Sequence, residues 1–331
     1  MPLLTVARSP IALLRFADLA HPERGVRNGE LVKIRPGVYA SARDWNALAA
    51  WDRYLARVHA VAMVCPDVVF SCESAAALQG MSIFGDPVVV HVLASPLATA
   101  RLVAGIRVHT TGGHREVVEI GGMLMTSPAE TAVDLARSRH AAIGLAAADA
   151  ALRIDPSLSA ESLVAINEGR ASKRGRALAR WPLGAATALA ETALESVSRA
   201  TIAWLGFPEP TLQVTFRSAG GQEDRSDFVW RGISLAGESD GDLKFDGRYG
   251  DPRELLRRQR ERDARLRSRH VEAVAHWGWV EATTVDPLRT LLLGHGLKQV
   301  APEQPAQLYS LRRAVSPNPP HRAAPLPNRS R

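Results

Sequence analysis

Gly237-Glu-Ser-Asp-Gly-Asp-Leu-Lys-Phe245 follows directly on the apolar run Ile233-Ser-Leu-Ala236. Charges beside a half-buried segment are costly unless they are paired, solvated or bound to an ion. Residues two apart in a strand share a face. A strand over Ile233–Asp240 therefore turns Glu238 and Asp240 one way and Ile233, Leu235 and Ser239 the other. Asp227 stands in the preceding strand-like run Ser226-Asp-Phe-Val-Trp230, and the Arg231-Gly232 link is short enough for an antiparallel hairpin. This pairing sets Asp227 beside Glu238. Like charges at a cross-strand pair repel. A hard divalent cation relieves the conflict, because Mg²⁺ prefers carboxylate and water oxygens and activates a bound water. Lys244 is placed to steady charge developing at a phosphorus centre, and Glu195, on the helix before the sheet, to hold a water. The plainer reading is a solvated hairpin end, since Asp240-Gly241 is a good turn dipeptide. Asp242 and Asp246 belong to that reading.

Glu195 on a helix, Asp227 on a strand and Glu238-Ser-Asp240 on the next strand together resemble the PD-(D/E)XK nuclease pattern. More narrowly, Gln213, Ser226-Asp-Phe-Val, Glu238-Ser-Asp-Gly241 and Arg262-Asp263 resemble endonuclease-like domains related to very-short-patch-repair proteins, over roughly residues 187–283. The resemblance implies an α/β core, Mg²⁺ (or Mn²⁺) held by Asp227 and Glu238 with Asp240 beside them, and attack of water on a phosphodiester. Where the pattern has a lysine two residues after the acid, this chain has Asp240, and Lys244 stands further along. The basic helix offers Arg258 and Gln259 where similar domains often carry a lysine.

Near the start, Leu31-Val-Lys-Ile-Arg-Pro-Gly-Val-Tyr-Ala40 alternates apolar and basic residues around a Pro36-Gly37 turn, a hairpin signal. Short helices over Ile11–Leu19 and Glu23–Gly29 precede it, and Ser41 caps a long helix over 42–64. Helices followed by a basic hairpin describe a winged helix. Lys33-Ile-Arg-Pro-Gly-Val-Tyr39 resembles the wing of AbiEi-type antitoxins, and Ser71-Cys-Glu-Ser-Ala-Ala-Ala-Leu-Gln-Gly80 is similar to the segment that follows it there; the likeness spans about residues 20–150. It implies DNA binding, with Lys33, Arg35 and Arg27 on phosphates, which position but do not specify, and a cognate toxin as a further partner.

Charge agrees with a polyanion partner. Residues 251–331 carry 15 basic and 8 acidic side chains against 26 of each before them, so the whole excess of +7 lies there. No apolar run approaches the roughly 20 residues that span a bilayer. Arg15 and Asp18 interrupt the Ile11–Leu14 run, against a signal peptide, and the expectation is a cytoplasmic protein that uses no membrane. Cys65 and Cys72 have no Cys or His at ligand spacing and read as free thiols. The ten histidines form no HxH or HExxH pattern and read as structural or solvated. No GxGxxG or Walker-type loop is present.

The organisation expected is α/β and multidomain. It comprises a winged-helix-like module over 1–45, an antitoxin-like α/β region over 46–165, a linker over 166–185, an endonuclease-like unit over 186–300 and a disordered Pro/Arg-rich tail over 301–331. In the endonuclease-like unit Gln213, Arg258 and Arg262 join the nucleic-acid contacts. Two functions fit: a nucleic-acid-binding protein with a Mg-dependent phosphodiesterase domain, or an antitoxin-like transcriptional regulator whose nuclease-type domain does not cut.

Overall fold

A computed structural model of the chain describes residues 5–94, 98–217, 221, 223–240, 252–269 and 271–315. The N-terminal part holds β1 (Leu14–Arg15), α1 (Pro22–Arg27), β2 (Leu31–Arg35) and β3 (Val38–Ser41), in an antiparallel sheet of order β1-β3-β2. Where the apolar spacing of Ile11–Leu19 predicts a helix, Leu14 pairs with Tyr39 and Phe16 N donates to Gly37 O at 2.9 Å. Strand pairing takes these residues, and only a 3-10 turn over Phe16–Asp18 remains. The helix expected over 42–64 is two, α2 (Ala42–Ala47) and α3 (Ala50–Val64), because Leu48 and Ala49 are extended. Ser41 Oγ caps the first by accepting from Asp44 N at 3.4 Å.

The middle part places β4 (Val69–Phe70), α4 (Cys72–Leu78), β5 (Val90–Ala94), β6 (Arg101–Val103), β7 (Ile106–Thr110), β8 (Val117–Ile120) and β9 (Met123–Thr126) in or against a mixed sheet of order β6-β7-β5-β4-β9-β8. Tyr54, Val58 and Val61 of α3 and Leu78 of α4 pack on Phe70, Val90, Val92 and Met125. Period-two alternation then sends His91 of β5 and Arg107 and His109 of β7 to the opposite face. Four helices follow, α5 (Pro128–Ser138), α6 (Ala141–Ile154), α7 (Ala160–Gly169) and α8 (Arg176–Gly184), sealed by Ala132, Ala136, Ala148, Leu163 and Leu183. Small side chains allow these axes to approach closely. The linker expected over 166–185 is therefore largely helix: Ala179 and Leu183 are fully buried despite the surrounding arginines.

The C-terminal part contains α9 (Ala193–Trp204), β10 (Thr211–Arg217), β11 (Glu223–Trp230), β12 (Leu235–Ser239), α10 (Pro252–Arg269), β13 (Ala273–Trp277), α11 (Trp279–Thr284), α12 (Asp286–Gly294) and α13 (Pro305–Val315). Its sheet runs β10-β11-β12-β13; β10 to β12 are antiparallel and β13 is parallel to β12. The expected strand over Ile233–Asp240 begins at Leu235, because Arg231–Ile233 forms a 3-10 turn ending on Ser234 at φ 50°. After β13 the chain turns directly into α11: Gly278 N donates to Glu281 Oε2 at 2.9 Å and starts the helix. The tail expected to be disordered from 301 holds α13, whose Leu308, Leu311 and Val315 are buried in the core. That spacing is helical, but the proline-rich composition around it hides the signal. Gly206, at φ 75°, admits the chain there: a Cβ on it would lie 2.0 Å from Ala301 O.

The middle and C-terminal parts share one core, in which Ala141, Ala142 and Leu145 of α6 meet Val197, Ile202 and Trp204 of α9. Asp149 of α6, fully buried, accepts from Thr187 N at 2.8 Å, Ser196 Oγ at 2.7 Å and Arg199 Nη1 at 3.0 Å. No helix among the described residues is long and apolar enough to cross a membrane. Removing one partner of a buried ion pair strands the other charge, at about 3–5 kcal/mol. Asp149→Ala is expected to lower unfolding stability by that amount, read from urea denaturation; a loss under about 1 kcal/mol counts against the joint.

Candidate functional site

The C-terminal sheet separates two chemistries. Phe228, Trp230, Leu235, Ala275 and Trp277 enter the large apolar core. Ala236 and Val274, on the other face, pack with Leu266 of α10. Glu238 of β12 and its register neighbour His276 of β13 lie on this second face. Gly237 has no room for a side chain: a Cβ would stand 2.5 Å from the Trp277 ring. Gly237→Ala forces that ring aside and is expected to cost about 1–3 kcal/mol as overpacking, seen as a lower urea midpoint with the slope unchanged.

The last described pair of the β11–β12 ladder is Phe228↔Gly237, and one further step of the same register sets Asp227 opposite Glu238. Hydrogen bonds sort the acids into two networks. In the first, Asp227 Oδ2 accepts from Ser239 N and Ser239 Oγ, both at 3.0 Å, and Gln213 Nε2 donates to Glu195 Oε2 at 2.8 Å and reaches Asp227 Oδ1 at 3.4 Å. Gln213 makes this reach from a left-handed backbone, φ 50°, inside β10, a strain of about 1–3 kcal/mol for a non-glycine residue. Glu195 also closes the N-terminus of α9: its Oε1 accepts from Thr192 Oγ1 at 3.0 Å and its Oε2 from Glu191 N at 2.9 Å.

In the second network Arg262 Nη2 donates to Glu238 Oε2 at 2.8 Å. Asp240 Oδ2 meets His276 Nδ1 at 2.7 Å and accepts from Gln259 Nε2 at 2.8 Å; His276 Nε2 meets Asp263 Oδ2 at 2.8 Å. Burial pushes Glu238 up to about 7; Arg262 opposes the rise, and Asp227 and Asp240 add to it. Burial likewise raises Glu195, with Asp227 reinforcing the shift. Burial alone would lower His276, but its hydrogen bonds to Asp240 and Asp263 win and raise it.

Carboxylate oxygens are the donors a hard Mg²⁺ or Mn²⁺ takes. Glu238 is 4% exposed and its Oε1 has no hydrogen-bond partner, so this donor set fits such an ion. Arg262 already supplies one compensating cation. Lys244, with Asp242 and Asp246, lies outside the described residues.

Of the expected nucleic-acid contacts, Arg27 is exposed, and Lys33 Nζ stands 3.8 Å from Glu23 on an open surface. Arg35 keeps a buried Nε without a partner. Arg258 pairs with Glu254 at 2.9 Å and remains 70% exposed, whereas Arg262 and Gln213 are engaged with the acids.

A second group of titratable side chains lies in the middle part. Cys72, His91 and His109 bring their ligand atoms within 4.8 Å of one another. Both cysteines are free thiols, as expected; what the sequence does not show is that His91 and His109 stand beside one of them. The three come from α4, β5 and β7 at separations no short motif spans, so only the sheet register could reveal them. They line a cavity of about 1490 Å³ with Arg115, Glu130 and Asp134. Burial holds His91 down at about 4 and lowers His109, so both imidazoles are neutral near pH 7.

Residues 67–181 match the AbiEi antitoxin C-terminal domain. Two proteins of Mycobacterium tuberculosis, both described as uncharacterized, one from strain CDC 1551 / Oshkosh and one from strain ATCC 25618 / H37Rv, are each 36% identical over 234 residues, covering 70% of this chain and 80% of theirs. The chain belongs to their family. No solved structure matches it. The AbiEi domain takes in the six-stranded sheet from β4 onward, the helices α4 to α7 and most of α8, with Cys72, His91 and His109 inside it. The acidic site lies beyond it, and Asp149 joins the two.

Titration of the acidic site sets a pH dependence. From the ordinary 4.5 up to about 7 the folded chain keeps a proton on Glu238 that the unfolded chain releases, so stability falls as pH rises through this window. His276 acts in the same direction: its contribution is full below 6.5 and is lost as pH rises through its raised folded value. Glu238→Gln removes the first slope and leaves the second. The expected result is a smaller fall in Tm between pH 4.5 and about 7 than in the native chain; an unaltered profile excludes Glu238 as its source.

Proposed function

We propose that this chain is an antitoxin-type nucleic-acid-binding regulator whose C-terminal unit has a nuclease-type, PD-(D/E)XK-like fold used for binding rather than cutting. The pairing of Arg262 with Glu238 carries the reading. A fixed guanidinium occupies one oxygen of the central acid, while Asp240 is taken by His276 and Gln259, so the acids are compensated within the protein. The AbiEi domain over 67–181 supports a regulator with a cognate toxin as partner. The β1-β3-β2 sheet with α1 serves as the winged-helix-like module over 1–45, and Lys33, Arg35 and Arg27 place its hairpin against phosphates. Arg258, on the open face of α10, adds a contact from the C-terminal unit.

A second reading, a Mg²⁺- or Mn²⁺-dependent phosphodiesterase, is favoured by one observation: the buried Glu238 Oε1 without a hydrogen-bond partner, beside Asp227 and Asp240. Bound there, the ion would lower the pKa of a water. Glu238, Asp227 and Asp240 would hold it, and Glu195 with Gln213 would keep Asp227 oriented.

One experiment separates the readings. Purified full chain is mixed with supercoiled, linear and single-stranded DNA in Mg²⁺, in Mn²⁺ and in chelator. The regulator binds without cutting, and Lys33→Ala flattens the salt dependence by about 0.9 in log K per log salt, the loss of one phosphate contact. Cutting that requires metal and disappears in Glu238→Ala reverses the choice between the two readings. Absence of binding to any of the three substrates rejects both.

A further inference from the structure

The side chains around Cys72 are arranged as a metal site of a different kind. His91 Nδ1 and His109 Nε2 face each other at 2.8 Å across stacked rings, and Cys72 Sγ lies 4.0 Å from His109 Nε2. In a tetrahedral zinc site, with Zn–N near 2.0–2.1 Å and Zn–S near 2.3 Å, adjacent ligand atoms stand about 3.3–3.6 Å apart. Small turns of the two rings and the thiol reach that spacing. Cys72 is aimed from a left-handed backbone, φ 49°, at the first position of α4.

The surroundings supply an independent sign. Glu73 is 8% exposed, and its Oε2 has no hydrogen-bond partner, yet it points at His91 Nε2 from 3.6 Å. Arg139 holds its other oxygen. A carboxylate behind the far nitrogen of a ligating histidine fixes the tautomer and raises ligand basicity. Without an ion, one of the two facing ring nitrogens must carry a proton toward the other. With an ion, both lone pairs turn to it, the His91 proton sits on Nε2, and Glu73 Oε2 gains its missing donor. The nearby ion pairs are balanced: Arg115 and Arg170 each contact Glu130 and Asp134, and Arg139 contacts Glu73. Arg107 also acts on both imidazoles, so a dication with one thiolate adds net positive charge to a surround that is already basic.

We propose that Cys72, His91 and His109 bind a borderline-soft divalent cation of the zinc class, with Glu73 as the residue positioning His91 and the fourth coordination position open to the cavity. Thiolate and imidazole donors select zinc and its neighbours over magnesium or calcium. Binding expels the thiol proton to solvent and ties α4 to β5 and β7. The inference is independent of whether the acidic site cuts or only binds.

Cobalt(II) is the probe. Full chain, reduced and stripped with chelator, is titrated with Co²⁺ and followed by absorption. The expected result is a thiolate-to-cobalt charge-transfer band in the near ultraviolet together with the visible bands of a four-coordinate ion, both displaced by Zn²⁺. Cys72→Ser removes the charge-transfer band, while Cys65→Ser keeps it. Glu73→Gln weakens Co²⁺ and Zn²⁺ by about 10–100-fold, and His109→Ala weakens them at least as much. If Cys72→Ser fails to fold by circular dichroism, His109→Ala decides. A stripped native chain that gives no band, a band that survives Cys72→Ser, or affinity unmoved by His109→Ala overturns the proposal.

Discussion

The architecture turns on one buried carboxylate. Asp149 sits on a helix made almost wholly of alanine and apolar residues, and it is fully excluded from water. Such a group is tolerable only when its lone pairs are taken up. They are taken up by residues 38, 47 and 50 positions later: a backbone amide before α9, and a hydroxyl and a guanidinium on it. Arg199 then passes the restraint on through Nη2, which donates to Ala185 O at 2.7 Å. Apolar packing between α6 and α9 tolerates sliding; this set of directional bonds does not. The orientation of α9 is thereby set, and with it Glu195, Ser198 and the sheet that Ser198 touches through Trp277 Nε1.

That sheet keeps its acids affordable by segregating them. With Trp277 laid over Gly237 the apolar face is closed, and Glu238, the one charged side chain of β12, is turned toward the side served by α10. Protein partners then meet nearly every carboxylate oxygen there. Among the described residues the buried exceptions, Glu238 Oε1 and Asp263 Oδ1, are where the demand for a proton or a cation concentrates. Cys72, His91 and His109 follow the same logic on the other sheet. Val90, Val92, Ile106 and Val108 pack into the core, so alternate positions of β5 and β7 have only the cavity to face.

Local signals made part of this legible in the sequence. Ser41 caps α2 as the sequence indicates, and the alternation through Leu235–Ser239 puts Glu238 opposite in sense to Leu235. Register between neighbouring strands follows from a short link, which is why Asp227 and Glu238 could be set side by side. What was not legible depends on contacts between distant segments. His276 carries no motif, yet it holds Asp240 on one ring nitrogen and Asp263 on the other. Composition also misled: arginines around α8 and prolines around α13 mask Ala179, Leu183, Leu308 and Leu311, whose burial is decided by what they meet, not by their neighbours in sequence. Leu48-Ala49 shows the converse, a continuous helical pattern broken by an extended pair.

The basic excess near the C-terminus needs the same correction, because its arginines are not equivalent. Arg262 and Arg265 reach acids that are almost buried, Glu238 and Asp224, and are themselves about one-third exposed. Both pairs reach below the surface, so these two arginines are held by the fold. Arg257 and Arg258 instead pair with Glu254 and Glu261 on open surface. Exposed pairs of that kind contribute about 0–1 kcal/mol and are screened by salt. A phosphate, which releases counterions as it binds, displaces such partners at little cost. The weakly held charge of α10 therefore lies on its outer face around Arg257 and Arg258, while Arg262 and Arg265 tie the helix to the sheet through Glu238 and Asp224, and a single helix faces two environments.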